Sequence, residues 1–563
     1  MHSAVTRRFL CAKIDLPRKT IRKARSSRFT ASRIWSIAAL LPALRDQGSR
    51  SLAPSGSVDF QRILLRTLLP ERLPLSNPSG RSLFLTVFPS IMLPMFLAVM
   101  DQTIIATALP AIAASLGHVE RVSWVVVSYL ISSTIAAPVY GQLGDVLGRR
   151  TMMFVALGIF IVSSVLCALA VSIETLTIAR VLQGLGGGGL MTLSQALIGE
   201  TVPPRARARY QGYLATVAVT ANAFGPVAGG YLTFHLGWQS VFLINLPIGI
   251  LAVLLTLRME PRTGGRKWWR FDSPGLFLFI TFVAPVVLSL EQIQKLDVHS
   301  LPMILGLLAV GAISVFLLIK IEQRTSEPLL PISLLRQSVI WRTDALAACH
   351  GAALVSLITF LPIYLEVVRD ISSDQAGLIL VPLMIGIGIG SIGTGRAVSK
   401  TGRTTIFPVV GLSIALISLL ILSLLAPHLS TFMISILLLW SGLSMGTVMG
   451  VVQVTVQTAS GPKMLGAGAA TVQFSRSVGA AFGTATVAAV LFSMLAASDP
   501  ETARLFSAMV NQGAAAMAEI SAARRAVIQA EVTTAFRAAF LTIAAFASVG
   551  LLCALTIPMR RIA

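Results

Sequence analysis

Runs of roughly 20 uncharged, mostly apolar residues recur along this chain, and that recurrence restricts its fold more than any other feature. About 20 residues of α-helix cross the ~30 Å hydrocarbon core of a bilayer. In lipid every backbone N–H and C=O must be satisfied internally, which leaves helices or a closed β-barrel. Barrel strands would read as ~10-residue alternating segments, and these runs do not alternate. Apolar residues make up 55% of the 563 and charged residues 12%, a balance that excludes a soluble globular domain. The expected fold class is an all-α polytopic membrane protein.

Candidate spans lie near 84–112, 122–140, 151–171, 175–197, 210–233, 239–257, 274–290, 301–319, 343–366, 375–395, 405–425, 430–456, 466–494 and 536–558, fourteen in all. The charges between them give an orientation. Arg149 and Arg150, Arg205, Arg207 and Arg209, the basic residues of 258–270, 320–342 and 396–403, Lys463, and Arg560 and Arg561 all fall on one side. The opposite short links carry only Arg121, Lys295 and Arg369. By the positive-inside rule the first side is cytoplasmic and so are both termini. The link at about 495–535 is longer and falls outside the cytoplasm; its AAAMAEISAARRAVIQAEV reads as a helix in the loop, a solvated surface helix in preference to a docked lid.

Residues 1–82 stand apart as a basic extension. They hold 16 Lys and Arg against Asp15, Asp46, Asp59 and Glu71, so +12 of the formal +22 belongs to them. No apolar core close to Met1 supports a signal peptide. The segment reads as disordered, with three origins open: a cytoplasmic binder of anionic lipid, a transit-like sequence, or an upstream stretch included in the coding sequence, the last preferred. The net charge is therefore poor support for a nucleic-acid partner, and none is expected.

No enzymatic or metal chemistry is legible. Cys11, Cys167, Cys349 and Cys553 are far apart and form no CxxC pattern. His2, His118, His235, His299, His350 and His428 show no HExxH spacing, and no GxxxxGK[ST] phosphate loop exists, so no catalytic residue, metal or nucleotide cofactor is expected.

Two short stretches repeat each other. GQLGDVLGRR, at 141–150, follows the second span, and GRAVSKTGRT, at 395–404, follows a later one. Gly141, Gly148 and Arg149 are answered by Gly395, Gly402 and Arg403, and Asp145 by Ser399. Repeats of this kind mark transporters built from two similar halves. Read as a ten-residue link, the first stretch uses Gly141, Gly144 and Gly148 for a tight turn and the arginines as topology signals. Asp145 needs a further reason: a helix N-terminus or a basic side chain as partner.

Ionisable groups inside the spans are costly and point to function. Asp101 is the acid near the middle of an apolar run, and a carboxyl there can exchange a proton as its surroundings dry and rehydrate. Arg180 is its natural counter-ion, sharing a helix face with Gln183, Gly184 and Gly187. Arg476 is a second buried base, with a structural or gating role at least as plausible as coupling. Asn222, Gly225, Pro226 and Gly229 share one face, expected to give a kinked, closely packed helix between the bundles. Tyr129, Gln183, Trp440, Gln453 and Gln457 are candidates for a substrate cavity, and Asp344 and Glu366, near the ends of their span, for gates or interfaces.

These stretches carry a resemblance. GQLGDVLGRR resembles the signature loop between the second and third helices of the major facilitator superfamily. LAVMDQTIIATALPAI, RVLQGLGGGG and AFGPVAGG, which ends on Gly229 and Gly230, resemble the first-, fourth- and fifth-helix motifs of its fourteen-span drug:proton antiporters, the EmrB/QacA type. The resemblance covers roughly 83–560, with Ala221 where the antiporter motif begins with glycine and Ser399 where the second loop has an acid. It implies six-helix bundles at 83–258 and 340–563 around a central cavity, two inserted helices in a linker at 259–339, and alternating access. Asp101 and Arg180 would couple to protons. Gly141, Asp145, Gly148, Arg149 and Arg150 would gate, with Asp145 held at the start of the helix after Lys463 as a breakable latch, the alternative being a static turn. The implied function is export of amphipathic drugs or toxic compounds across the cytoplasmic membrane, driven by the proton gradient without a cofactor. A periplasmic adaptor would join it in a double-membraned bacterium. Proton-coupled transport of a specific metabolite or siderophore is the alternative, and a non-transporting receptor or scaffold a remote one.

Overall fold

A computed structural model describes residues 88–117, 121–259, 271–295, 301–325, 328–499, 501–506 and 522–562. The chain divides into two compact units, Met1–Ser79 and Gly80–Ala563. The first unit, and with it the basic extension, lies outside the described residues, as do 260–270 of the basic links and 507–521 of the long loop.

The described residues are helical, with one isolated bridge between Arg403 and Arg561. In the first half the long helices are α1 (Phe88–Ile104), α2 (Ser123–Leu147), α3 (Arg149–Ala168), α4 (Ile173–Thr201), α5 (Pro204–Leu236) and α6 (Asn245–Leu257). Two further helices follow, α7 (Ser273–Lys295) and α8 (Leu301–Glu322). The second half comprises α9 (Ser338–Arg369), α10 (Ser373–Thr401), α11 (Ile406–Leu425), α12 (Thr431–Ser460), α13 (Leu465–Ser498) and α14 (Ala522–Thr556). A short helix, Leu109–Leu116, continues from α1, and Ser240–Leu243 leads into α6.

Twelve helices among the described residues are long and apolar enough to cross a bilayer. The other two long ones are α4 and α5, with 29 and 33 residues. At 1.5 Å per residue they are roughly 43 and 50 Å long, more than the hydrocarbon core requires. Their composition is what sets them apart: α4 carries four consecutive glycines, and α5 opens on PRARARYQGY. A count of fourteen is compatible with this architecture.

The helix boundaries correct the reading of 141–150 as a link. α2 runs through Leu147 and α3 begins at Arg149, so Gly141, Gly144 and Asp145 are helical and the turn is one residue, Gly148. Its φ of 96° lies where an L side chain is strained, which is why glycine stands there. α10 ends the same way, on Gly402 with φ 68°. The repeat seen in sequence is thus one structural device used twice, a long helix stopped by a positive-φ glycine. At the other end, α14 starts at Ala522, with Ile528 and Val532 buried in its core, so the RAVIQAEV portion of the expected loop helix belongs to the last long helix.

Packing follows the small residues. On α4 a Cβ at Gly187 would lie 2.1 Å from the Tyr129 hydroxyl, and one at Gly188 would lie 2.1 Å from the Ser133 carbonyl, so only glycines let α4 approach α2 this closely. Two cross-half contacts mirror each other. α2 meets α13 at Gly141 and Gly466, and α5 meets α10 at Gly212 and Gly395. The fifth-helix motif packs elsewhere than expected: Gly225 and Gly229 lie against Thr103 and Ile104 at the end of α1, within the first half. The face of α5 turned to the other half is the one bearing Gly212. Pro226 is exposed, and the space beside Gly230 is open.

α7 packs against both halves. Phe279 of α7 packs against Phe474 of α13 with ring centroids 5.3 Å apart, in a cluster that also holds Ile135 of α2. Gln142 of α2 donates to the Pro328 carbonyl beyond α8, at 3.0 Å.

Candidate functional site

Three groups of polar residues stand out. The first is built around Asp101, in the last turn of α1. Arg180 of α4 reaches its Oδ2 at 2.6 Å, with both side chains 1% exposed. The other carboxylate oxygen accepts from Gln183 Nε2 at 2.9 Å and from Asn245 Nδ2 at 2.7 Å. Arg180 also donates to the Val125 carbonyl and to Gln183 Oε1, and its guanidinium lies 4.2 Å from the Tyr129 ring centroid. Ser164 of α3 accepts from both Gln183 and Asn245. Five helices of one half therefore converge on one carboxylate. A charge this far from water persists only when it is paired and hydrogen-bonded, and here both conditions hold.

The second group joins the halves. Asp145 accepts from the backbone N–H of Gly466 with both carboxylate oxygens at 3.0 Å and from that of Ala467 at 3.1 Å, at the first turn of α13. Those amides have no intrahelical partner, and the helix dipole adds positive potential there. Arg149 binds the same carboxylate and reaches Glu200 at the end of α4 at 2.7 Å. Arg150 serves α6 instead, donating to the Thr256 and Leu257 carbonyls at its C-terminal end. Beside this junction Gln457 of α12 donates to the Gln195 carbonyl of α4 at 2.9 Å.

The third is a cavity of about 150 Å³ between the halves. Its wall draws on α1, α4 and α5 from one half and on α9, α10, α12 and α13 from the other. Met95, Met191, Met384, Met445 and Met449 give it a flexible, polarizable apolar lining. Gln453 lies in this wall, and so does Asn222 of the fifth-helix motif. The other cavity candidates lie elsewhere. Tyr129 and Gln183 are buried in the Asp101 network, Gln457 is spent on the α4 contact, and Trp440 is 52% exposed on the outside of the bundle. Asp101 does not line the cavity; its neighbour Gln102 does.

Several residues of these groups were not picked out from sequence. Asn245 and His350 are polar residues within apolar runs, a signal that intramembrane position supplies. His350 lines the cavity, its Nε2 3.0 Å from the Met445 carbonyl. Asp344, a gate or interface candidate, lies in the second turn of α9 and is buried beside a Thr471 hydroxyl that donates to the Gly468 carbonyl. Glu200 had no sequence signal linking it to Arg149.

Two similar halves, helices joined across a seam and a shared cavity define a polytopic transporter architecture. The chain belongs to the major facilitator superfamily, whose family model matches residues 91–484, and the family's members are transporters rather than enzymes. An uncharacterized MFS-type transporter of Mycobacterium tuberculosis is 34% identical over 422 residues, which are 75% of this chain and 61% of that protein. The chain thus spans about three fifths of that relative's length. The multidrug transporter protein MdtP of Bacillus subtilis is 32% identical over 416 residues, 73% of this chain and 76% of its own. Among solved structures, the human organic anion transporter MFSD10 (TETRAN) aligns with a TM-score of 0.59 at 14% identity, covering 83% of this chain and 99% of its own. The proton:xylose symporter XylE aligns at 0.55 and 16%, covering 85% and 96%. These two likenesses bear on fold.

Proposed function

We propose that this chain is a fourteen-span secondary transporter of the cytoplasmic membrane, with both termini cytoplasmic, that exports amphipathic drugs or toxic compounds in exchange for protons. The multidrug name of the Bacillus relative supports the export reading. The observation that carries proton exchange is the buried Asp101–Arg180 pair, one residue along the chain from the cavity residue Gln102. A proton on Asp101 removes one partner and leaves the Arg180 guanidinium buried without its counter-charge. Losing one partner of a buried pair costs about 3–5 kcal/mol, enough to shift a two-state packing equilibrium. Asp145 and the amides of α13 form the junction that such a shift would open, so Asp145 acts as a latch and Arg149 positions it.

The test is proton-driven flux in proteoliposomes. Asp101→Asn should abolish flux driven by a pH gradient while the substrate still binds, because the amide keeps shape but cannot titrate. Full proton coupling in that variant would place the coupling acid elsewhere.

A further inference from the structure

The cavity wall carries a fixed cation and, among the described residues, no acid. Arg476 of α13 contributes that cation. Its one described hydrogen bond is a long one, from Nη2 to Gln473 Oε1 at 3.3 Å, and its Nε has no partner. The contrast with the buried arginines is sharp: Arg180 is paired with Asp101, and Arg149 is held by two carboxylates. Arg476 is half-buried; a guanidinium partly withdrawn from water without a counter-charge is disfavoured, and its planar fork matches a carboxylate. Other wall residues also hold polar atoms without protein partners: Nδ1 of His350, Nε2 of Gln211, and both terminal atoms of Gln453. Unpaired polar atoms are rare in a settled interior and here surround a space rather than a packed core. The remaining wall is methionine and aliphatic, suited to an apolar body of variable shape.

We propose that the cavity selects amphipathic organic anions, carboxylates above all, with Arg476 receiving the head group and the methionine-lined wall receiving the apolar body. This deepens the export reading and rests on the same cavity. An ammonium head would meet Arg476 with no acid to offset it, while a neutral head would leave the guanidinium unpaired.

The test is a binding measurement on the purified full chain in nanodiscs, with three probes sharing one apolar body: 2-naphthylacetate, 2-naphthylacetamide and 2-(2-naphthyl)ethylammonium. By calorimetry at neutral pH the carboxylate should bind about tenfold or more tighter than either other probe. Arg476→Gln should erase that preference while the amide probe keeps its affinity within about twofold, which also reports an intact cavity. If Arg476→Gln does not fold, Arg476→Lys carries the test: the charge without the fork should lower the preference several-fold and spare the amide probe. An ammonium probe bound as tightly as the carboxylate, no preference among the three, or equal weakening of all three by either variant overturns the inference. Loss of proton-coupled flux with the carboxylate preference intact would count against the export reading alone.

Discussion

Asp145 and Gly466 are 321 residues apart in sequence, yet both carboxylate oxygens of Asp145 accept the Gly466 backbone N–H at 3.0 Å. The contact requires Gly141, one helical turn earlier, because a Cβ there would lie 2.7 Å from the Gly466 carbonyl oxygen. One turn of α2 thus supplies both the close approach and the charge that holds α13.

Asp145→Asn should weaken this junction while leaving the fold in place. The amide keeps one acceptor oxygen but loses the charge felt by the α13 N-terminus and by Arg149; charge-assisted hydrogen bonds of this kind contribute roughly 1.5–3 kcal/mol. Transport should fall more than substrate binding, and cysteines introduced along the α2–α13 seam should become more accessible to reagent from the Arg149 face. Unchanged turnover together with unchanged accessibility would make Asp145 a static helix cap.

The Asp101–Arg180 pair predicts non-additive stability. Asp101→Asn and Arg180→Gln should each lower the Tm in detergent, since each strands a buried partner. The double variant should lose less than the two losses summed. Strict additivity in that cycle would mean the two side chains do not depend on each other.

Gly188 and Gly230 should respond oppositely to a larger side chain. A Cβ at Gly188 meets the Ser133 carbonyl at 2.1 Å, whereas the space beside Gly230 is open. Gly188→Val should cost more than about 3 kcal/mol or prevent folding, and Gly230→Ala should change stability by less than about 1 kcal/mol. Thermal unfolding of the two purified variants checks this, and equal effects would contradict the close packing of α4 on α2.

Trp440 and Gln453 lie on one helix, and their substitution should separate outside from inside. Trp440→Ala should leave transport within about twofold, since an exposed surface residue contributes little to an interior site. Gln453→Ala should alter apparent substrate affinity with little change in expression. A concentration series of initial flux rates distinguishes them; a larger affinity change from Trp440→Ala would show that substrate contacts the outer face.

The long helices, the repeat around Gly148 and Gly402, and the conjunction of Asp101 with Arg180 were legible in the sequence for definite reasons. Spans are read from length and apolarity, glycine repeats from their spacing, and buried opposite charges find each other because isolation in lipid is so costly. Which face of each helix meets the cavity was not legible. On a soluble helix, polarity separates the buried side from the wet one; in a membrane the outer face is as apolar as the interior. Trp440, turned outward, and Met384, turned into the cavity, therefore look alike in sequence. Tertiary packing also decided that Gly225 and Gly229 meet α1 while Gly212 meets α10, and that Arg476 faces the cavity without a carboxylate beside it. Small residues record that some helix comes close, and a buried charge records that some partner is needed. Only the folded arrangement of the long helices determines which neighbour fills each need and where none does.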